Sequence, residues 1–170
     1  MRHVAINSRE GKLNLRRINM IKSLVFTLIG LFLFVGLASA EQKATKASCQ
    51  ALVKKAVAFY KEVGKEKALA AFDDPKGKFV DGEDYLSIYS VTGKIVGHGT
   101  NPSLIGKEMI DLKDTNGKLF IREFVEKANK PGANGWVEYS WTNPVSKKVE
   151  PKAAYFERVD DVIIQAGYYK

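Results

Sequence analysis

Aromatic and hydroxyl side chains that share the faces of predicted strands are the groups in this sequence best suited to bind a ligand. Tyr85, Ser87 and Tyr89 alternate along one predicted strand, and Tyr139 and Trp141 alternate along another. Successive side chains of a strand point to opposite faces, so residues two apart project from the same face. The spacing therefore predicts two strands that each present Tyr, Trp or Ser side chains in a row.

Basic side chains accompany these rings. Lys94, Val96 and His98 share one face of a returning strand, whereas Lys152 and Tyr155 fall on opposite faces of a regular strand. A pocket of Tyr and Trp rings with a Lys and a His donor suits a small carboxylate. The rings provide an apolar lining, and the cations provide charge-assisted hydrogen bonds. The alternative is an ordinary half-buried sheet face with Lys152 in solvent.

The reactive residue types disfavour metal or nucleophilic catalysis. Residues 41–170 contain one histidine, His98, and one cysteine, Cys49, whereas a catalytic zinc site usually has three clustered protein ligands. No GxSxG motif or phosphate-binding glycine loop is present. A calcium loop that begins at Leu112 would have an apolar residue as its first ligand. We therefore expect no metal, no cofactor and no enzymatic activity, and Cys49 is expected to be a buried thiol.

The segment from Met20 to Ala40 has the pattern of a secretory signal peptide. Its start contains Lys22, and it continues as an apolar run and ends in the small residues Ala38-Ser39-Ala40 before Glu41. The run Ser23–Leu37 has about fifteen residues, fewer than the roughly 20 that span a bilayer. We therefore favour cleavage after Ala40 over an uncleaved anchor.

Removal of this segment changes the charge and sets the domain boundaries. Residues 1–40 form an N-terminal extension and signal, with Met20 the preferred start, and residues 41–170 form one periplasmic or secreted domain. The net charge of +8 falls to about +3, because six basic residues and one acid lie in the removed segment. So small a basic balance indicates no nucleic-acid partner.

The hydrophobic pattern predicts an α+β fold, with helices packed on one five-stranded antiparallel sheet. The predicted order is helix, hairpin, a loop-and-helix crossover and three further strands. The ranges are helices at 47–63 and 65–72, a hairpin at 84–99, a short helical piece at 103–109, a helix at 118–129, and strands at 136–141, 152–158 and 162–168.

An ordered set of motifs runs from about residue 50 to the end of the chain and resembles a known family. The motifs are Asp81-Gly82, Tyr85-x-x-x-Tyr89, Gly97-His98-Gly99-x-Asn101-Pro102, Gly106-Lys107, Asp111-x-x-Asp114-x-x-Gly117, Gly135-Trp136-Val137-x-Tyr139-x-Trp141, Pro144, Lys152-x-x-Tyr155 and Gly167-Tyr168-Tyr169. This set resembles the single Cache domain, a PAS-like extracytoplasmic sensor module of bacterial chemoreceptors and histidine kinases.

The resemblance implies a long N-terminal helix, a central antiparallel sheet of five or six strands, and a small-molecule pocket between one sheet face and the crossover. It also implies a small organic acid or amino-acid-like ligand. The sequence leaves open whether a homodimer forms through the N-terminal helix. Asn101 would brace the loop beside the pocket. The residues carried over to the pocket are Tyr85, Tyr89, His98, Tyr139, Trp141, Lys152 and Tyr155.

Two departures from the family pattern shape the expected function. Family receptors usually place this domain between two membrane spans before a signalling module, whereas this sequence ends at Lys170, and Ser90 stands where an acidic turn residue is common. We therefore expect a stand-alone sensor that works with a separate membrane receptor, kinase or transporter. The alternatives are an envelope protein-interaction module with a vestigial pocket, and an enzyme that uses His98 as a base.

Overall fold

The fold is described from a computed structural model, which covers residues 43–170. The predicted signal peptide, its cleavage after Ala40 and the start at Met20 lie outside the described residues. Within residues 43–170, no helix is both long and apolar enough to cross a membrane.

Two consecutive helices open the described part of the chain. Helix α1 spans Lys46–Val63, and a reciprocal capping box fixes its start: Thr45 Oγ1 accepts from the Ser48 N–H, and Ser48 Oγ accepts from the Thr45 N–H. Gly64, with a φ of 82°, separates α1 from helix α2, Lys65–Phe72. Both helices confirm the prediction from the sequence, because their apolar periodicity and their glycine boundary are local features.

Five strands form one antiparallel sheet in the order β2-β1-β5-β4-β3. Between β2 and β3 the chain crosses from one edge of the sheet to the other, through a 3-10 helix at Pro102–Leu104 and helix α3 at Phe120–Lys127. This arrangement confirms the predicted α+β class and the five-stranded sheet. The strands are β1 Ser87–Ser90, β2 Ile95–His98, β3 Asn134–Thr142, β4 Val149–Val159 and β5 Val162–Tyr169.

Each face of the sheet is covered by its own hydrophobic cluster. Helices α1 and α2 pack on one face, where buried residues include Val53, Phe72 and Ile164. The crossover and α3 pack on the other face, where Phe124 and Phe156 are fully buried. Any pocket under the crossover must therefore lie within the second cluster.

Side chains from the crossover occupy the outer edge of β3. Lys127 Nζ donates to the Trp136 carbonyl at 2.9 Å, and Asp114 Oδ2 accepts from the Ser140 N–H at 2.9 Å. Lys118 Nζ donates to a third outward-facing group of this strand, the Glu138 carbonyl. Such contacts protect a sheet edge from pairing with another chain. They also tie the crossover to the sheet around the cavity described below.

The structure changes several predicted boundaries. The predicted helix at 118–129 is shorter, at Phe120–Lys127, and the helical piece expected at 103–109 is one 3-10 turn at Pro102–Leu104. Strands β3 and β4 extend beyond the predicted 136–141 and 152–158, because they pair continuously from Asn134↔Glu157 to Thr142↔Val149. Cross-strand pairing extends strands through polar residues, which the hydrophobic pattern does not mark.

Candidate ligand pocket

A small cavity lies between the sheet and the crossover, within the second hydrophobic cluster. Its volume is about 10 Å³, close to the minimum that holds one water molecule. Five predicted pocket residues line it: Tyr85, Tyr89, His98, Tyr139 and Trp141. Its other lining residues are Ser87, Ile95, Phe120, Ile121 and Gln165.

Stacked rings form the crossover side of the cavity. The rings of Phe120 and Tyr139 lie parallel with centroids 4.3 Å apart, and Trp141 packs against Phe120 at 5.5 Å. Phe124 meets the edge of Tyr139 at 5.9 Å. These contacts fix Tyr139 on β3 against α3, so the pocket has a rigid aromatic wall.

A β-bulge in β2 decides which of its side chains face the cavity. Ser87 pairs with His98 and Tyr89 pairs with Ile95, so the register shifts between them and Val96 is the extra residue. Ile95 and His98 therefore line the cavity, whereas Val96 packs in the first cluster on the opposite face. The predicted shared face of Lys94, Val96 and His98 is wrong, because a regular strand was assumed.

His98 is a neutral hydrogen-bond donor in this site. Its Nδ1 accepts from the backbone N–H of Asn101 at 3.1 Å and from that of Thr100 at 3.4 Å. Burial, together with the smaller effect of the positive charge of Lys152, lowers the pKa of His98 to about 4. At neutral pH the single ring proton is therefore on Nε2. The expectation that His98 supplies a charged donor is corrected to a neutral Nε2–H.

Lys152 is buried beside Tyr85, and only 1% of the residue surface is exposed. Its Nζ donates to the Tyr85 hydroxyl at 2.8 Å and to the Tyr169 hydroxyl at 3.5 Å. Tyr169 in turn donates to the Thr142 carbonyl at 2.9 Å. Tyr85 lies 3.1 Å from Tyr169 and completes this relay as a donor to it. Tyr85 lines the cavity, and Lys152 contacts Tyr85 without lining the cavity itself. One of the three N–H groups of Lys152 is not used by these contacts.

The charge of Lys152 has no direct counter-ion. Among residues 43–170, no carboxylate lies within ion-pair distance of its Nζ. Burial lowers the pKa of Lys152 to about 7, and the more distant negative charges of Glu83 and Asp84 oppose that shift. A buried cation without a counter-ion is costly, so an anion placed beside Lys152 would be stabilised.

Space for the Lys152 side chain depends on Gly167 of β5. A Cβ atom at position 167 would lie 2.6 Å from Lys152 Cε and 2.9 Å from the Ala153 carbonyl oxygen. Real Cβ atoms do not approach neighbours so closely. Gly167 therefore allows the lysine stem to cross β5 toward Tyr85.

Two predicted site residues lie away from the cavity. Tyr155 is on the opposite face of β4, where it packs against Trp136 and belongs to the cluster under α1. Its inclusion in the pocket is wrong, because strand parity separates it from Lys152. Asn101 is exposed and does not line the cavity. Its backbone N–H donates to His98 Nδ1, and its Oδ1 accepts from Ser103 Oγ.

Two polar residues were not predicted from the sequence: Gln165, which lines the cavity, and Tyr169, which is hydrogen-bonded to Tyr85 and Lys152. Gln165 is buried in β5, and its Nε2 donates to the Tyr89 hydroxyl at 3.3 Å. The missed indication was a glutamine within the apolar run Val162–Gly167, because a polar residue inside a buried strand usually has a specific partner. Tyr169 belongs to the terminal motif of the resemblance but was not assigned a role.

Solved structures with the same architecture identify the class of protein. A methyl-accepting chemotaxis protein from Vibrio parahaemolyticus is 25% identical, with a TM-score of 0.62 over 73% of this chain and 87% of that chain. The periplasmic sensor domain of a chemotaxis protein is 27% identical, with a TM-score of 0.55 over 71% and 86%. A Cache chemosensory domain that recognises carboxylic acids is 23% identical, with a TM-score of 0.61 over 72% and 91%, which shows a common fold.

The fold and the pocket under the crossover are those of a PAS-like sensor domain. The family model of Single Cache domain 2 matches residues 13–170, and the chain belongs to that family. Cache domains are extracytoplasmic modules that bind ligands and serve in signalling, and they are not enzymes. This chain is accordingly a ligand-sensing extracytoplasmic domain.

Proposed function

We propose that this domain senses a small organic acid, which binds under the crossover with its carboxylate directed to Lys152. The observation that carries the proposal is the buried Lys152 ammonium, which has no carboxylate partner among residues 43–170. A ligand carboxylate would supply the missing charge. The known carboxylic-acid recognition by a domain of the same fold supports the same ligand class.

The remaining polar groups suit the same ligand. His98 offers a neutral Nε2–H, and the Tyr139 and Tyr89 hydroxyls also face the cavity. No acidic residue lines the cavity within the described chain, so the ammonium group of an amino acid would have no counter-charge there. Between the two ligand types expected from the sequence, a simple organic acid therefore fits better than an amino acid.

Binding of a multi-carbon acid requires the cavity to grow beyond its volume of about 10 Å³. Residues 106–109 of the crossover are hydrogen-bonded through the backbone to β2 and the turn before it. The part from residue 110 through α3 contacts the sheet through side chains such as those of Asp114 and Lys127, so this later part is the element that can move. Such a displacement would change the conformation of the domain when the ligand binds. A separate membrane-bound receptor, kinase or transporter would read that change, which is in keeping with the chemotaxis proteins of similar fold.

Calorimetry at pH 6.5 with a panel of short monocarboxylates tests the ligand class. We expect at least one acid to bind, and Lys152→Met to weaken it roughly 10- to 150-fold, because hydrogen bonds to charged groups contribute about 1.5–3 kcal/mol. Lys130→Met is the matched control, since Lys130 is exposed. Unchanged affinity in Lys152→Met would refute the carboxylate contact.

A second candidate function is an envelope protein-interaction module with a vestigial pocket. The small volume of the cavity, about 10 Å³, is the observation that favours it. This candidate predicts no thermal stabilisation by any acid in the panel, together with a stable protein partner in pull-downs from the cell envelope. Stabilisation by an acid that depends on Lys152 would exclude it.

A further inference from the structure

The side-chain oxygen of Gln165 is a buried acceptor inside the pocket. Gln165 lines the cavity and only 2% of the residue surface is exposed. Its Nε2 donates to Tyr89, but no group among residues 43–170 donates to its Oε1. It is the single buried side-chain nitrogen or oxygen of the described residues that lacks a hydrogen-bond partner.

An unpaired buried acceptor is destabilising unless something donates to it. Buried polar side chains nearly always have a partner, and the exceptions often mark a functional site. The cavity around Gln165 is the space from which such a donor can come. A ligand with a hydrogen-bond donor would therefore form a hydrogen bond with Gln165 Oε1, and a ligand without a donor would leave this oxygen unpaired.

The sheet register places this acceptor close to the donors that suit a carboxylate. Ser87 pairs with His98 on one side and with Gln165 on the other, so the three residues form one row across β2, β1 and β5. Neighbouring strands are about 4.8 Å apart, which puts His98 and Gln165 on either side of a space about two strands wide. A small acid in this space can therefore direct its carboxylate to His98 and a donor next to that carboxylate to Gln165.

The charge distribution favours a hydroxyl as that donor. An ammonium group would place a second cation near Lys152, and no acidic residue of the described chain lines the cavity. A hydroxyl donates without this cost. We propose that Gln165 is a specificity-determining residue that selects acids with a hydroxyl next to the carboxylate, over plain acids of the same length.

This inference rests on the proposed function, since it assumes that an acid binds under the crossover. It specifies a second group of the ligand, a hydroxyl next to the carboxylate, and the residue that recognises it. The two ends of the pocket then have different roles: Lys152 and His98 bind the carboxylate, and Gln165 binds the hydroxyl.

A set of three-carbon acids tests the inference on the unmodified protein. Calorimetry would compare propanoate, both enantiomers of 2-hydroxypropanoate, 2-oxopropanoate and 2-aminopropanoate at pH 6.5. We expect one hydroxy acid to bind roughly 5- to 150-fold more tightly than propanoate, the range that corresponds to an unsatisfied buried polar group. In Gln165→Met, which keeps the length of the side chain without its acceptor, this ratio should fall to near one.

The outcomes separate this inference from the proposed function. Equal binding of propanoate and the hydroxy acids would overturn the role of Gln165 and leave carboxylate sensing intact. Tightest binding of the oxo acid would overturn it as well, because the amide would then present Nε2 to the ligand. Tightest binding of the amino acid would also contradict it. Failure of every acid to bind would overturn both the inference and the proposed function. The wild-type comparison decides these points even if Gln165→Met does not fold.

Discussion

Replacement of Lys152 by methionine should stabilise the ligand-free domain at low pH while it weakens ligand binding. Burial lowers the pKa of Lys152 from 10.5 to about 7, so the folded state holds its proton less tightly than the unfolded chain does. Below about pH 7 both states are protonated, and the folded state carries the full cost of the buried ammonium. As the pH rises from 7 toward 10.5, the folded state becomes more stable relative to the unfolded state.

The size of the effect follows from this displacement of the pKa. Each pH unit between the two pKa values changes the free energy of unfolding by about 1.4 kcal/mol. The stability advantage of Lys152→Met over the wild type should therefore shrink by about 2–3 kcal/mol between pH 6 and pH 9. Urea unfolding of both proteins at pH 6, 7.5 and 9 measures this difference, and other titrating groups cancel in the comparison.

Lys130→Met provides the control, because Lys130 is exposed and its replacement should give a difference from wild type that does not vary with pH. A difference for Lys152→Met that does not vary between pH 6 and pH 9 would refute the reasoning, since it would mean that the pKa of the folded amine is not lowered into this range. That result would remove the unpaired charge from the argument for anion binding.

Four further predictions concern the same pocket. Carboxylate affinity should fall with a slope approaching tenfold per pH unit above about pH 7, as Lys152 loses its proton; calorimetry at pH 6.5, 7.5 and 8.5 measures it, and a flat profile would contradict it. Nitrogen-15 NMR should find His98 neutral and protonated on Nε2 from pH 5 to 8, whereas a midpoint near 6.5 would contradict its burial. Gly167→Ala should cost about 1–3 kcal/mol in urea unfolding and Gly135→Ala less, because the closest contact at 135 is a side-chain atom at 3.3 Å; equal costs would contradict the close approach of the lysine stem. Tyr85→Phe should weaken acid binding about 5- to 10-fold, by removing the hydroxyl that orients Lys152; unchanged affinity in calorimetry would show that the relay does not position the amine.

Sequence patterns predicted the elements whose determinants are local. Helices α1 and α2 follow from apolar periodicity and from the glycine between them. Tyr139 and Trp141, two residues apart on β3, both line the cavity. The family resemblance added the crossover and the pocket beneath it. Such features depend on residues within a few positions of one another, or on an ordered set of motifs.

The features that the sequence did not predict depend on contacts between distant segments. The bulge at Val96 shifts the pairing register of β1 and β2 and places Val96 on the face opposite His98, whereas a regular strand would place both on one face. Gly97 in this strand is a recognised indication of a bulge or of a close approach by another segment. There the Asp73 carboxylate comes within 2.8 Å of where a Cβ would lie. The protonation state of His98 depends on burial and on loop N–H groups, neither of which the sequence displays.

The burial of Lys152 connects stability to ligand recognition. The aromatic rings around the Lys152 ammonium exclude water, and burial of the charge among them destabilises the folded state. In such a low-dielectric site an ion pair or hydrogen bond is stronger than in water. A carboxylate that enters would recover much of the free energy lost in burying the cation. The rings of Tyr85 and Tyr169, whose centroids lie 4.0 and 4.8 Å from Lys152 Nζ, would therefore help to set how strongly the charge on Lys152 favours the ligand-bound state.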